Sequence, residues 1–270
     1  MKIAYYIKKI ALEKDPAIEA LFARLRKAGM EIYPINRGLS SGTEMLLCFG
    51  GDGTFLSAAG AVCRSGVPVL GVNLGRLGFL SENELSEVEN ALLEGSYHIE
   101  ERTMLQVKTG QAPEENFSPY ALNEVAVRRS ASGTLELQAG IDGENLPSFW
   151  GDGLLVSTAS GSTAYSLSVG GPVCRPDVPA FILAPIAPHN LNVRPLLVPE
   201  SVKISIKGVD RKNAPLLLSL DNRDYNLPCG SEIEVSCAPF KLRRVVLGKS
   251  NFIQALRTKL LWGEDVRNTQ

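Results

Sequence analysis

Asp52 stands among glycines in the run Gly50-Gly51-Asp52-Gly53-Thr54, directly after the apolar stretch MLLCF (45–49). Glycine costs conformational entropy and a plain turn needs only one or two, so three around one carboxylate imply that something approaches the backbone closely. Consecutive N–H groups in a glycine-rich turn, leading into a helix N-terminus, form an anion cradle. A carboxylate in that cradle repels a bare phosphate. It fits there if Mg²⁺ accompanies the phosphate, or if Asp52 takes a proton from an attacking hydroxyl. On this reading Gly50, Gly51, Gly53 and Thr54 form a phosphate loop and Asp52 is the catalytic candidate. The competing reading is a strand–turn–helix corner capped by Asp52 and Thr54.

A second glycine-rich turn, GVNLGRLGF (71–79), follows another apolar run and offers Phe79 either for stacking on a ligand or for the core. LNEVAV (122–127) sets Asn123 and Glu124 inside a strand-like run. A buried amide and carboxylate cost free energy unless paired, so they either bond loop backbone or read a polar ligand. GDGLLVSTASGSTAYSLSVGGP (151–172) packs Gly, Ser and Thr around Tyr165, a hydroxyl density suited to ribose, amide or phosphate groups. Familiar nucleotide fingerprints are absent. Gly71, Gly75 and Gly78 lack the G-x-G-x-x-G spacing, and Gly248-Lys249-Ser250 only imitates a P-loop end, since Arg243 stands where its first Gly belongs. No G-x-S-x-G occurs and the only histidines are His98 and His189, which leaves little material for a hydrolase triad or a His-rich metal site.

These residues must be positioned by something. KIAYYI (2–7), EIYPI, MLLCF and VPVLGVN are strand candidates in the first hundred residues. Between them lie helical stretches from Pro16 to Gly29 and Thr54 to Arg64, and Glu82 to Leu93 closes the series; this alternation implies a parallel sheet with crossover helices. From about Ile99 the pattern becomes short Val-, Ile- and Leu-rich runs divided by Gly, Pro, Asn and Asp, with a hairpin turn at Asp142-Gly143 and a short helix at Thr163–Val169. Asn251–Leu261 is a final helix. The expected fold is therefore α/β plus all-β. It comprises an N-terminal Rossmann-like parallel α/β domain (1–98), a C-terminal β-rich, sandwich-like domain (99–248) and a C-terminal helical segment (249–270).

Composition narrows the function further. With 270 residues, 44% apolar and 21% charged, the chain has the make-up of a globular protein with a substantial core. Net charge is −1, so nucleic-acid binding is not expected. The basic C-terminal residues (Lys241, Arg243, Arg244, Lys249, Arg257, Lys259 and Arg267, against Glu264 and Asp265) are expected on a solvated face of a terminal helix. No run reaches the ~18–20 apolar residues of a membrane span, and the Lys-interrupted start is no signal h-region. Five cysteines without C-x-x-C spacing suit reduced thiols, and a cytoplasmic location is expected.

Taken together, GGDGT, LNE, the 151–172 block, APIAPHNLNVRPLLVP and NFIQALRTKLLWGED resemble the NAD kinase family of bacterial type, in order from about Met45 to Asp265. GGDGT alone also occurs in diacylglycerol kinases, sphingosine kinases and phosphofructokinases; TAYSLSVGGP is far more specific. The resemblance implies transfer of the γ-phosphoryl group of ATP to the 2′-hydroxyl of the adenosine ribose of NAD, giving NADP, with Mg²⁺ as cofactor. It places Asp52 and Gly53 in the catalytic loop and Phe79 against the dinucleotide. Asn123 and Glu124 would hold the adenosine ribose and base. Asp152, Thr163, Ala164, Tyr165 and Ser168 would line the dinucleotide pocket, and Ala187 would lie near the nicotinamide. A homodimer or homotetramer, and a C-terminal segment that returns to the first domain, are implied as well.

Three positions depart from the family pattern: Ala159 replaces a proline, Trp150 stands where a basic residue is usual, and Asp221-Asn222-Arg223 replaces Asp-Gly-Gln. The alternatives are a lipid kinase of diacylglycerol type, which would need an apolar slot or membrane-facing helix, and a non-catalytic NAD(H)-binding regulator, in which Asp52 would have no evident task. No single Lys or Arg can be assigned to the triphosphate from the sequence.

Overall fold

Each of the early apolar runs becomes a strand because helices cover both faces of the sheet they form. The computed structural model describes residues 1–75, 78–110, 113–248 and 252–262, in two units: 1–101 with the segment from Arg243, and 102–242. In the first unit β1 (Lys2–Ile7), β2 (Glu31–Pro34), β3 (Met45–Phe49) and β4 (Val69–Asn73) lie in the order β2-β1-β3-β4, and every pairing is parallel. All five residues of β3 are buried, as a central parallel strand requires. Helix α1 (Pro16–Lys27) connects β1 to β2 and α2 (Asp52–Val62) connects β3 to β4, while α3 (Leu85–Glu94) follows the last of the parallel strands. Ile18, Leu21, Phe22 and Leu25 of α1 share a core with Ile3, Leu47, Phe49, Leu70 and Val88. Asp15 caps α1, its Oδ1 accepting the Ala17 N–H at 2.9 Å.

Two helix starts differ from expectation. α2 begins at Asp52 rather than Thr54, with Gly51 as its N-cap. α3 begins at Leu85 rather than Glu82. Asn83 and Glu84 first form a short strand, β5, parallel to β4, because the Asn83 amide donates to the Gly71 carbonyl at 2.8 Å and its Oδ1 accepts the Leu247 N–H at 3.3 Å. The basic C-terminal residues are not all on one solvated helix. Lys241, Arg243 and Arg244 lie in a strand, Arg244 is 1% exposed, and Arg244 and Val245 pair parallel with Val69 and Leu70. The C-terminal helix runs Phe252–Leu260; Lys249, Ser250, Asn251, Glu264, Asp265 and Arg267 lie outside the described residues.

The second unit is built from β6 (Tyr97–Thr109) from Arg102 onward, β7 (Tyr120–Ala121), β8 (Glu124–Arg129), β9 (Leu135–Ile141), β10 (Glu144–Asn145), β11 (Phe149–Gly151), β12 (Gly153–Thr158), β13 (Ala180–Ile186), β14 (Leu196–Pro199), β15 (Ile204–Asp210), β16 (Leu216–Leu220), β17 (Arg223–Leu227) and β18 (Glu232–Leu247) as far as Leu242. One antiparallel sheet runs β14-β13-β12-β8-β16-β17; β10-β9-β15-β18 form another set, with β11 on β9. Leu137, Ile204, Ile206 and Val235 from one and Val125, Val127, Leu154, Val156 and Leu218 from the other share a single core, which makes this unit a sandwich. Asp142 (φ +50°) and Gly143 (φ +88°) form the two-residue turn between β9 and β10, both central residues having the positive φ that such a hairpin demands. The short helix Tyr165–Ser168 follows a 3₁₀ turn, and Tyr165 and Val169 pack on Ala126, Leu155, Ile182 and Ala184, on the opposite face of the β14-β13-β12-β8-β16-β17 sheet from the core.

Candidate active site

In the first unit, β3 delivers the chain to Gly50, whose φ of +145° and a Thr54 Oγ1 only 2.6 Å from any added Cβ admit no other residue. Gly51 differs: a Cβ there would meet nothing within 4 Å, so packing inside the protein does not explain it. The N–H groups of Asp52 and Gly53 open α2 without intrahelical acceptors and carry the positive end of its dipole. The Asp52 side chain folds back onto the backbone of Phe79, Leu80 and Ser81. Its Oδ2 accepts the Phe79 N–H at 2.9 Å, and its Oδ1 accepts those of Leu80 and Ser81 at 3.0 and 3.1 Å. The Lys259 ammonium lies 3.3 Å from Oδ2. Burial works to raise the pKa of Asp52, but the N–H donors of Phe79, Ser81 and Leu80 and the charge of Lys259 outweigh it and hold the carboxyl below its ordinary range.

The second glycine turn therefore has an unexpected purpose. A Cβ on Gly78 would stand 2.0 Å from Asp52 Oδ1, so this glycine makes room for the carboxylate itself. The segment beyond it is clamped by the buried Arg244, which donates from Nε to the Leu80 carbonyl at 3.2 Å and pairs with Glu82 at 2.6 Å. Phe79 is half-buried and its ring faces Phe252 and Lys259 of the C-terminal helix, at 6.1 and 4.9 Å.

In the second unit Asn123 and Glu124 stand at the start of β8, where Asp221 at the β16–β17 turn gathers the backbone. Its carboxylate accepts the N–H groups of Leu122, Asn123 and Glu124 at 2.9, 2.8 and 3.2 Å. On the other side, Ser157 donates to the Asn123 carbonyl at 3.1 Å and Thr158 to that of Leu122 at 2.7 Å. Gly161 passes so close that a Cβ would sit 2.2 Å from the Asn123 oxygen. The backbone is thus saturated while the side chains are not. Asn123 Oδ1, Glu124 Oε2 and Ser166 Oγ are buried without a partner, polar capacity that the surrounding protein leaves unused. Burial, then the charge of Asp221, push the Glu124 pKa up to about 8 against the Tyr165 N–H, so at neutral pH its carboxyl can donate.

Thr163, Ala164 and Tyr165 follow β12 at this same end, with Ser168 exposed at the end of the short helix. Asp152 and Ala187 are elsewhere. Glu124 pairs with Ser157 but Arg128 with Gly153, which puts Asp152 at the far end of these strands, roughly 16 Å away at ~3.3 Å per residue. There Asp152 forms a two-pronged ion pair with Arg129 (2.7 and 3.3 Å), and its N–H donates to the Ile186 carbonyl beside Ala187. Lys259 and Asp221 were missed as site residues because each reaches its partners across about a hundred residues or more; Asp221 stood out only as part of the Asp221-Asn222-Arg223 departure from the family pattern, and Lys259 only as one basic residue among several. Arg223 holds the departing loop in place by donating to the Ser118 and Tyr120 carbonyls.

A parallel α/β unit with a glycine-flanked aspartate opening a helix, in one chain with a β-sandwich bearing buried polar groups without partners, defines a kinase of the glycine–aspartate-loop class. The ATP-NAD kinase N-terminal domain model matches residues 13–98 and the ATP-NAD kinase C-terminal domain model residues 122–247. NAD kinase of Flavobacterium psychrophilum is 36% identical over 99% of this chain and 100% of its own length; that of Porphyromonas gingivalis is 39% identical over 98% and 99%. Among solved structures, yeast NADH kinase complexed with NADH superposes with a TM-score of 0.87 at 26% identity, covering 100% of this chain and 90% of that one. The chain belongs to the NAD kinase family.

Proposed function

We propose that this chain transfers the γ-phosphoryl group of ATP to the 2′-hydroxyl of the adenosine ribose of NAD, releasing NADP and ADP. The observation that carries the reading is Asp52, a carboxylate kept anionic and fixed by backbone donors at a glycine-rich helix N-terminus. In the reaction the ribose O2′ attacks the γ-phosphorus. The O2′–P bond forms, the bond from phosphorus to the ADP oxygen breaks with its electron pair left on ADP, and the hydroxyl proton passes through Asp52 to solvent. A carboxyl held below its ordinary range is a weak base for a neutral alcohol. Asp52 therefore orients the hydroxyl first and takes its proton as the new bond forms, which suits the loose transition state of phosphoryl transfer.

Gly51 and Gly53 offer the phosphates N–H groups at a helix N-terminus, while Gly50 and Thr54, whose N–H groups donate to the Val72 and Gly51 carbonyls, shape the phosphate loop around them. Mg²⁺ sites commonly take one or two carboxylates, the remainder of the shell being phosphate and water. Among the described residues no cluster of three or more His, Cys, Asp or Glu could hold a metal, so the residues fit an ion that arrives with the nucleotide and is held mainly by its phosphates and water, with Asp52 the carboxylate of the loop beside it. When bound, it would neutralise phosphate charge.

In the second unit Asn123 and Glu124 recognise the adenosine, with Thr163, Ala164, Tyr165 and Ser168 beside them; Asp152 and Ala187 belong to the nicotinamide end. On this reading the α/β domain (1–98) handles phosphate, the β-rich domain (99–248) holds NAD, and the segment from 249 serves the former. A homodimer or homotetramer is supported by the exposed Leu191, Leu196 and Leu197 at and beside edge strand β14, and a cytoplasmic location by five free cysteines. Family membership sets the lipid-kinase alternative aside. The test is an NAD analogue with hydrogen in place of the adenosine 2′-hydroxyl. It should compete with NAD yet receive no phosphate from ATP, and phosphorylation of the analogue would overturn the proposal.

A further inference from the structure

We infer that Lys259, on the C-terminal helix, is a positioning residue for phosphoryl transfer, holding the one exchangeable acceptor position of Asp52 until the substrate hydroxyl takes it. The inference rests on the reaction proposed above. A carboxylate has about four lone-pair positions, and in Asp52 all are engaged: two by Leu80 and Ser81 on Oδ1, one by Phe79 and one by Lys259 on Oδ2. The three backbone donors belong to a segment pinned by Arg244 and by the close approach of Gly78, and they cannot leave without unmaking it. Lys259 is different in kind, a flexible side chain with 30% of its surface exposed. A hydroxyl that is to hydrogen-bond Asp52 must displace it.

The placement does not depend on one side chain. The ammonium lies 4.9 Å from the centre of the Phe79 ring, within cation–π range, and Phe252 of the same helix meets that ring at 6.1 Å. Ala255 and Leu256, 1% and 4% exposed, anchor the helix between these two contacts. Until it is displaced, Lys259 keeps Oδ2 oriented and its charge compensated. Its hydrogen-bond partner is the reacting carboxylate, so its effect should fall on turnover rather than on NAD affinity.

The experiment compares the native chain with Lys259→Ala, Lys259→Met and Lys259→Arg in steady-state NADP formation from NAD, ATP and Mg²⁺. Because this bond is given up when the hydroxyl arrives, its worth lies in presenting Oδ2 already oriented, and without it kcat is expected to be about 10-fold lower in the Ala and Met variants, with KM for NAD held within about twofold. Lys259→Arg should recover most of the loss, and propylammonium added to Lys259→Ala should restore turnover where sodium at equal ionic strength does not. Lys259→Met keeps the aliphatic stem over Phe79 and covers the case in which Ala loosens the helix. A kcat unchanged in the Ala and Met variants, or a fall that neither Arg nor the amine reverses, would overturn the inference. If the native chain forms no NADP, the functional reading fails instead.

Discussion

Glu124 shows how much chemistry one residue takes from its surroundings. Its carboxyl titrates at about 8 instead of 4.5, because burial and then the Asp221 charge oppose ionisation. Between those values the folded chain keeps a proton that the unfolded chain has released. The stability this group contributes is therefore full below about pH 4.5 and is lost as pH rises through about 8, by at most roughly 1.4 kcal/mol per pH unit. Glu124→Gln keeps the neutral shape and removes the titration, so between pH 6 and 9 its Tm should fall less than that of the native chain. Parallel curves would contradict the assignment. Asp52 is the opposite case: also substantially buried, it stays anionic because four donors answer it. The sequence marks both residues as out of place among apolar or glycine neighbours, but it cannot tell which one ionises, since that depends on donors far along the chain.

At the level of elements, strand ends and helix starts do the positioning. Asp221 links the β16–β17 turn to the start of β8 by three N–H bonds, and its own φ of +51° strains a residue that is not glycine. Asp221→Ala leaves those donors without their acceptor, at about 1–3 kcal/mol each, so a loss of about 3 kcal/mol or more is expected in denaturant unfolding. NAD binding, followed by calorimetry, should weaken with it because Asn123 and Glu124 lose their anchor. Unchanged stability and affinity together would refute that role. Some of this was legible beforehand. The Asp142-Gly143 turn and the short helix within TAYSLS follow from local chemistry. The start of α3 was misplaced because Asn83 is drawn into the sheet by Gly71 and Leu247, and no local pattern records those contacts.

Over the whole molecule, the alternation of elements was readable because buried parallel strands and half-buried sandwich strands have different periodicities. Closure of the chain was less so. Arg244, which reads as one basic residue among several, is a buried clamp on the Asp52 loop, and the C-terminal helix brings Lys259 to a carboxylate 207 positions earlier. The far separation of Asp152 from Glu124 along β8 and β12 was likewise invisible until strand register was known. The central claim, that Asp52 on its glycine loop drives phosphoryl transfer to NAD, is tested most directly by NADP formation from NAD, ATP and Mg²⁺ in the native chain beside Asp52→Asn. The account predicts steady NADP from the native chain and a rate lower by about 10²–10⁴-fold in the variant, at a Tm that still reports a folded protein. Equal rates in the two, or no NADP from a well-folded native chain, would contradict it.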